Sequence, residues 1–186
     1  MDVTDWYRIF AWLAVATQIA IVLLVVARVA GTTRAGAGAW DAIREGLQGQ
    51  GLAVGALVAA VATAGSLYLS EGAHLVPCRL CWYQRTMMYP LAVLLVIAAV
   101  RRDWSIRPYA ITLALIGAAV STWHVLVEWY PGLESSSSCD PDNPCSALPL
   151  ARYFGYLSIP TMAGTAFLFV AAVLWLAGRP PSEEYA

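Results

Sequence analysis

The chain has 186 residues, of which 60% are hydrophobic and 12% are charged, and its formal net charge is -1. Soluble globular domains carry about 25% charged residues, so this composition excludes an ordinary soluble domain and favours a membrane protein. The cationic side chains are all arginines, and they form no basic stripe of the kind that nucleic-acid binding requires. We therefore predict contact with membrane lipid and no nucleic-acid partner.

Five apolar stretches approach the length of about 20 residues that a helix needs to cross a bilayer. Inside lipid, every backbone polar group must be paired within its own span, so each stretch is predicted to be helical. The predicted spans cover about 6–29, 52–69, 82–100, 109–127 and 156–177. Pro90 is expected to kink the third span.

The first span has two interpretations, a secretory signal peptide or a retained helix. Residues 1–5 are acidic rather than basic, and the apolar stretch is longer than the core of a signal peptide, which favours a retained helix. A Gly/Ala-rich segment at 31–51 follows and is predicted to be a cytoplasmic linker. The predicted fold is an all-α membrane protein: a four-transmembrane-helix bundle at 52–178, one additional N-terminal transmembrane helix within 1–51, and a cytoplasmic tail at 179–186.

The arginines predict the orientation of these spans, because cytoplasmic loops carry an excess of positive charge. Seven arginines fall on one side and four on the other. The richer side has Arg28, Arg34, Arg44, Arg101, Arg102, Arg107 and Arg179; the poorer side has Arg8, Arg79, Arg85 and Arg152. With the richer side in the cytoplasm, all four cysteines are predicted to lie on the extracytoplasmic face of the cell membrane, where disulfides persist.

The first cysteine pair, Cys78 and Cys81, stands at the start of the third span, directly after Pro77. Proline suits a helix start, so one or both thiols are expected in the first turn, where backbone amides stabilise a thiolate. Two intervening residues are typical of a redox-active dithiol. The alternatives are a static disulfide, or half of a zinc site completed by the other two cysteines. No ligand set of recognisable spacing supports zinc, so no metal is predicted.

The second pair, Cys139 and Cys145, lies in a segment rich in Ser, Asp-Pro and Asn-Pro. These residues are typical of an exposed, mobile, turn-rich loop. Such a loop could carry a cysteine pair to a docked partner and then back to the first pair. A disulfide that merely closes the loop is the alternative.

Two further side chains are candidates for binding an electron acceptor. Arg85 follows Cys81 by four residues and so lies on the same helical face, one turn deeper. A charge at this depth is costly unless it is functional or reaches back to the interface; Arg85 is predicted to stabilise a Cys81 thiolate and to bind a quinone oxygen, with a headgroup anchor as the alternative. His124 could assist proton transfer to a reduced quinone, or could be an ordinary interfacial residue.

The sequence resembles the DsbB family of disulfide bond formation proteins, and within it the BdbC-like branch, over about residues 52–177. The likeness rests on Pro-Cys-Arg-Leu-Cys-Trp-Tyr-Gln-Arg at 77–85 and Met-Tyr-Pro-Leu at 88–91. It is supported by Trp-Tyr-Pro at 129–131, which follows His124, by the later cysteine pair, and by Gly-Tyr-Leu-Ser-Ile-Pro at 155–160.

This resemblance implies a thiol oxidase that re-oxidises an extracytoplasmic DsbA-like thioredoxin-fold protein and passes the electrons to ubiquinone or menaquinone. Carried over by position, Cys139 would meet the partner, Cys145 would exchange with Cys78, and Cys81 would face the quinone beside Arg85 and His124. The short spacing between Cys139 and Cys145 leaves open which of the two meets the partner first. The alternatives are a vitamin K epoxide reductase-like enzyme, in which the loop cysteines usually come first, and a non-enzymatic scaffold with structural disulfides or zinc.

Overall fold

The structure, a computed structural model, describes residues 2–134, 139–148 and 150–178. Its five long helices are α1 (Val3–Ala30), α2 (Ala37–Leu67), α3 (Arg79–Arg101), α4 (Arg107–Trp129) and α5 (Ile159–Ala177). A π-helical turn, Tyr68–Gly72, continues α2, and short 3-10 turns at Trp104–Ile106 and Pro131–Leu133 flank α4. The predicted tail at 179–186, with Arg179, lies outside the described residues.

Within the described residues, five helical segments are long and apolar enough to cross a membrane. They correspond to the five predicted spans, and the prediction of an all-α fold with an additional N-terminal helix is confirmed. The chain is a multi-pass membrane protein.

Helices α2 to α5 form a closed bundle in which α3 packs against α2 and α4, and α5 packs against α4 and α2. Helix α1 lies outside this ring, mainly against α5 and more sparsely against α2. Close approach of α4 and α5 depends on small residues, as is usual between membrane helices. A Cβ at Gly117 of α4 would collide with the ring of Phe167 on α5, and that ring is fully buried.

Two helix boundaries differ from those predicted. The predicted linker at 31–51 is largely helical, because α2 begins at Ala37 and runs without interruption into the second span. Its glycines each cost about 1 kcal/mol of helix propensity relative to alanine, but the alanines, leucines and long polar residues between them favour a helix. The fifth helix begins at Ile159 rather than at 156, because Phe154 and Gly155 adopt positive φ in a tight turn before it.

The two ends of the bundle have different chemistry. At one end lie the first turns of α1, α3 and α5, with the cysteine-bearing segments. At the other end, Arg28, Arg44 and Arg107 line a common recess with Trp40. Arg107 also donates to the carbonyl oxygens of Leu174 and Trp175, at 2.7 and 3.2 Å, and so caps the last turn of α5.

Candidate functional site

The first cysteine pair opens α3 as the sequence predicted. Cys78 is the N-cap residue, with an extended backbone, and its sulfur accepts a hydrogen bond from the backbone N–H of Cys81 at 3.3 Å. Cys81 is in the first helical turn. The two residues are free thiols whose Sγ atoms are 2.8 Å apart. They are therefore placed to form a disulfide with each other on loss of two electrons.

The second pair, Cys139 and Cys145, forms a disulfide that is buried rather than exposed. The two residues are only 2% and 1% exposed, and they share a cluster with Cys78, Leu80 and Val127. The expectation of an exposed loop is correct for the turn at 140–142 but wrong for the cysteines, because the loop folds its sulfurs inward against α3 and α4. Both cysteine pairs thus occupy one site.

Two polar side chains hold the loop against the bundle. The amide of Asn143 donates to the carbonyl oxygen of Pro77 at 3.1 Å, which ties the loop to the residue before Cys78. The carboxylate of Glu134 accepts from the backbone N–H of Cys145 and from the hydroxyl of Ser146, both at 2.5 Å. Hydrogen bonds to a charged acceptor are the stronger kind, so Glu134 fixes the backbone of one disulfide cysteine.

His124 lies between the two cysteine pairs. Its Nε2 is 3.6 Å from Cys78 Sγ and 3.1 Å from the carbonyl oxygen of Cys145. Its Nδ1 is 3.0 Å from Nε2 of Gln84. An amide NH₂ only donates, so Nδ1 is the acceptor and Nε2 carries the proton. The buried imidazole therefore points an N–H at the sulfur of Cys78 and the backbone of Cys145.

These contacts favour the thiolate form of Cys78. The hydrogen bond from the Cys81 thiol is the largest cause that lowers the pKa of Cys78, to about 5, and His124 adds to it, whereas burial acts in the opposite direction. Cys78 is therefore ionised at neutral pH in the reduced dithiol. An ionised sulfur is the reactive form in thiol–disulfide exchange.

Cys81 faces a different space, a cavity of about 340 Å³ enclosed by α1, α2, α3 and α5. Gln84 and Arg85 line it beside Cys81, and most of its remaining lining is apolar. The Arg85 guanidinium donates to the carbonyl oxygen of Ser66 at 3.0 Å and lies over the Trp82 ring, 5.2 Å from its centroid. The cavity thus has a polar end at the dithiol and an apolar body, which suits an amphipathic ligand with a polar head.

The structure separates the two residues predicted to bind the acceptor. Arg85 lines the cavity with Cys81; its predicted contact with a quinone oxygen stays a prediction. His124 is instead placed by its contacts with Cys78 and the loop disulfide.

Sequence reasoning missed several residues of the site. Gln84 was visible as part of the motif around Cys81, and its position three residues after Cys81 was a usable signal. Glu134 and Asn143 gave no signal, because their roles depend on how the loop folds. The cavity-lining face of α1 could have been read from Tyr7, Phe10, Ala14 and Thr17, which recur every three or four residues.

Metal binding is the alternative role for the side chains around Cys78. Cys78, Cys81 and His124 offer two sulfurs and one nitrogen within 4.8 Å of one another, and zinc accepts such donors. A structural zinc site takes four ligands, and the two cysteines considered from the sequence as the remaining ligands are bonded to each other. This favours redox chemistry at the pair.

The chain matches the family model described as "Disulfide bond formation protein DsbB" over residues 49–177. It is 39% identical over 127 residues to "Disulfide bond formation protein C" of Bacillus subtilis (strain 168), an alignment that covers 68% of this chain and 91% of the relative. It is 43% identical over 111 residues to a "Probable disulfide formation protein" of Oceanobacillus iheyensis, covering 59% of this chain and 76% of the relative.

A third relative, a "Probable disulfide formation protein" of Coxiella burnetii (strain Dugway 5J108-111), is 38% identical over 122 residues, 65% of this chain and 82% of the relative. No solved structure matches the chain.

These matches imply a disulfide oxidoreductase, and the free dithiol beside a disulfide in a helical membrane bundle is consistent with that class. The chain belongs to the DsbB family of disulfide bond formation proteins, in its BdbC-like branch. It therefore acts in disulfide bond formation and exchanges disulfides with a thiol partner.

Proposed function

We propose that the protein is a thiol:quinone oxidoreductase that re-oxidises an extracytoplasmic DsbA-like thioredoxin-fold protein. One observation carries this proposal: Cys78 is buried against the loop disulfide, whereas Cys81, three residues later, lines the cavity. A single dithiol therefore contacts both the disulfide that would receive electrons from protein and the space that could hold an electron acceptor. The four-helix unit at 52–178 would carry this activity.

The proposed path moves two electrons at each step. The partner's dithiol reduces the Cys139–Cys145 disulfide and becomes a disulfide itself. The thiolate of Cys145 then attacks Cys78 in a Cys78–Cys81 disulfide, and Cys81 leaves as a thiolate. Cys139 resolves the mixed disulfide, which restores the loop disulfide and leaves the first pair as a dithiol. The described arrangement, with the loop oxidised and the first pair reduced, corresponds to this point in the path.

In the last step the dithiol becomes a disulfide again. The acceptor takes its two electrons, the proton of the Cys81 thiol, and a second proton from solvent, to which Cys78 released its own proton on ionising. A bound quinone would be the two-electron acceptor. Arg85 and Gln84 are the side chains that would orient its ring oxygens beside Cys81, and the apolar lining excludes water there. His124 would hold Cys78 ionised and the backbone of Cys145 in place during exchange between the pairs.

The same contacts support an order for the loop cysteines. The Cys145 carbonyl shares its hydrogen-bond donor with Cys78, because His124 Nε2 faces both. We therefore assign exchange with Cys78 to Cys145 and contact with the partner to Cys139. The recess lined by Arg28, Arg44 and Arg107 at the opposite end of the bundle supports a cytoplasmic location for that end and an extracytoplasmic location for the cysteines.

The first test measures quinone reduction by the purified, detergent-solubilised protein supplied with a reduced thioredoxin-fold dithiol protein. The wild type should reduce quinone continuously, as followed by the loss of quinone absorbance. Cys81→Ser should lower the turnover rate by more than about 100-fold, because serine cannot form the disulfide on which each step depends.

Cys139→Ser is the matched control. It should block electron entry from the protein dithiol but leave quinone reduction by a small dithiol that reduces the Cys78–Cys81 disulfide directly. Quinone turnover that persists in Cys81→Ser would refute the proposed path. Absence of any dithiol-dependent quinone reduction in the wild type would leave a scaffold with structural cysteines.

A further inference from the structure

Helix α1 contributes one of its faces to the cavity beside Cys81. Tyr7, Phe10, Leu13, Ala14 and Thr17 line it, and their spacing of three or four residues places them on one side of the helix. The family model begins at residue 49, so this wall lies outside the unit that the chain shares with its family. The cavity is therefore bounded partly by the family unit and partly by a helix added to it.

Polar contacts fasten α1 to α5 on one side of the cavity. The hydroxyl of Tyr7 donates to the carbonyl oxygen of Leu157 at 3.0 Å. The side chain of Gln18 donates to the Thr165 hydroxyl at 3.1 Å and accepts from the Tyr156 hydroxyl at 2.6 Å. Buried or partly buried hydrogen bonds in a membrane fix the register of one helix on another. These hydrogen bonds hold α1 in place against α5, where it forms one wall of the cavity.

On its α2 side, α1 makes contacts near each end of the helix. Near the cysteines, the Trp6 and Tyr68 rings lie 5.2 Å apart, and the absence of a side chain at Gly65 lets the Phe10 ring approach α2. Near the other end, the guanidinium of Arg28 lies over Trp40. Between these contacts, cavity-lining residues of both helices are open to the outside: Leu13 is 47% exposed and Leu57 is 64% exposed.

We propose that the opening between Leu13 and Leu57 is a lateral portal through which the isoprenoid tail of a membrane quinone enters the cavity from the bilayer. The inference rests on the proposed quinone reductase function. Its chemistry follows from the cavity: the polar end at Cys81, Gln84 and Arg85 suits the ring oxygens, and the apolar body leads to an opening within the membrane-spanning segments. A quinone dissolved in lipid needs an entrance from lipid rather than from water.

The portal makes α1 a determinant of quinone specificity. The ring would be held by residues of the family unit, whereas the tail would pass between α1 and α2. Changes at the rim should therefore affect quinones according to their tails and leave the reaction of the ring unchanged.

The test compares two quinones, a ubiquinone that carries several isoprenoid units and the same ring without a tail. Leu13→Trp and Leu57→Trp narrow the opening from either side. Each should raise the KM for the tailed quinone by about fivefold or more relative to the KM for the tail-less quinone, which corresponds to about 1 kcal/mol of lost binding. The control is Leu23→Trp, at a residue of α1 that is 61% exposed and is not among the residues that line the cavity.

A second readout does not depend on turnover. Purified protein is incubated with the tailed quinone and washed, and the retained quinone is extracted and measured by its absorbance. The two rim variants should retain several-fold less quinone than the wild type and Leu23→Trp. Melting temperature checks folding; where a tryptophan variant does not fold, Leu13→Phe and Leu57→Phe carry the same expectation.

Equal retention and equal KM values in the rim variants and the wild type would overturn the portal, as would an equal effect of Leu23→Trp. Failure of the proposed function looks different, because the wild type would then retain the tailed quinone, and retain more of it than the rim variants do, without reducing it.

Discussion

Cys78 and Cys81 are separated by two residues, yet they serve two regions of the molecule with opposite properties. Around Cys78, the region is crowded and hydrogen-bonded: the loop disulfide, His124 and Gln84 occupy it, and its cysteines are buried. Around Cys81, the region is an open, mostly apolar cavity that Gln84 and Arg85 also line. The first region suits exchange between sulfurs, and the second suits a lipid-soluble acceptor.

The N-cap explains how one short motif reaches both regions. Residues three apart inside a helix share a face, and two helical cysteines would point to the same region. Cys78 is not helical: its backbone is extended, with φ -69° and ψ 172°, which turns its side chain toward α4 and the loop. Cys81 is helical and faces the cavity. The start of α3 therefore places the two cysteines toward different regions. Three substitutions test whether those regions act separately.

The largest effect is expected at the cavity. Arg85→Gln removes the charge that faces the proposed acceptor and should raise the KM for quinone by about tenfold, equivalent to about 1.4 kcal/mol, in steady-state assays. The KM for the partner protein should not change, because Arg85 belongs to the cavity region. Arg101→Gln, at the far end of α3, is the control. An equal rise in both KM values would show that the two regions are not separate.

An effect of about the same free energy is expected where His124 meets Cys78. Since the imidazole N–H favours the thiolate, His124→Gln should raise the pKa of Cys78 from about 5 by about one pH unit, the worth of one hydrogen bond to a charged group. The measurement is a titration of thiolate ultraviolet absorbance in a Cys139→Ala/Cys145→Ala background, where Cys78 and Cys81 are the remaining cysteines.

The direction of the pH effect follows from the lowered pKa. The Cys78 thiolate persists above pH about 5 in the wild type, and the variant should lose it at a higher pH as acid is added. His74→Gln, at the chain's other histidine, should titrate like the wild type. A raised quinone KM with an unchanged titration would instead place His124 with the acceptor, as the resemblance to the family implied.

The smallest effect is expected in the docking of the loop. Asn143→Ala removes the hydrogen bond to Pro77, worth about 1 kcal/mol, and should raise the population of undocked loop by about fivefold. Because the disulfide is buried when docked, its reduction by a small dithiol should accelerate by a similar factor. The measurement is the rate of thiol release at Cys139 and Cys145. Asp142→Ala, in the exposed part of the same turn, should leave that rate unchanged.

The helical fold and the candidate redox cysteines could be predicted from the sequence, but the arrangement of those cysteines in space could not. Five apolar runs of membrane-crossing length are sufficient to predict five helices, because lipid leaves the backbone few other ways to pair its polar groups. The position of Cys78 at the start of α3 was likewise readable from Pro77 and the helix that follows.

The remainder depends on contacts between distant segments. Burial of the loop disulfide rests on Asn143 reaching Pro77 and on Glu134 reaching Cys145, and neither pairing has a local signature. The place of His124 depends on the rotation of α4 relative to α3, which the sequence pattern does not specify. Helix α1 was predicted as a membrane span, but its part in lining the cavity could not be predicted, because the cavity forms only where α1 packs beside α2 and α5.

The cap at Cys78 also bears on the thermodynamics of the proposed path. A thiolate is a stronger acceptor for the Cys81 amide and the His124 imidazole than a disulfide sulfur is, so these donors stabilise the reduced pair more than the oxidised pair. Selective stabilisation of the reduced form makes a dithiol couple more oxidising. The geometry that opens α3 therefore favours a higher reduction potential for Cys78–Cys81. On the proposed path, this would favour electron transfer from the loop cysteines to the first pair.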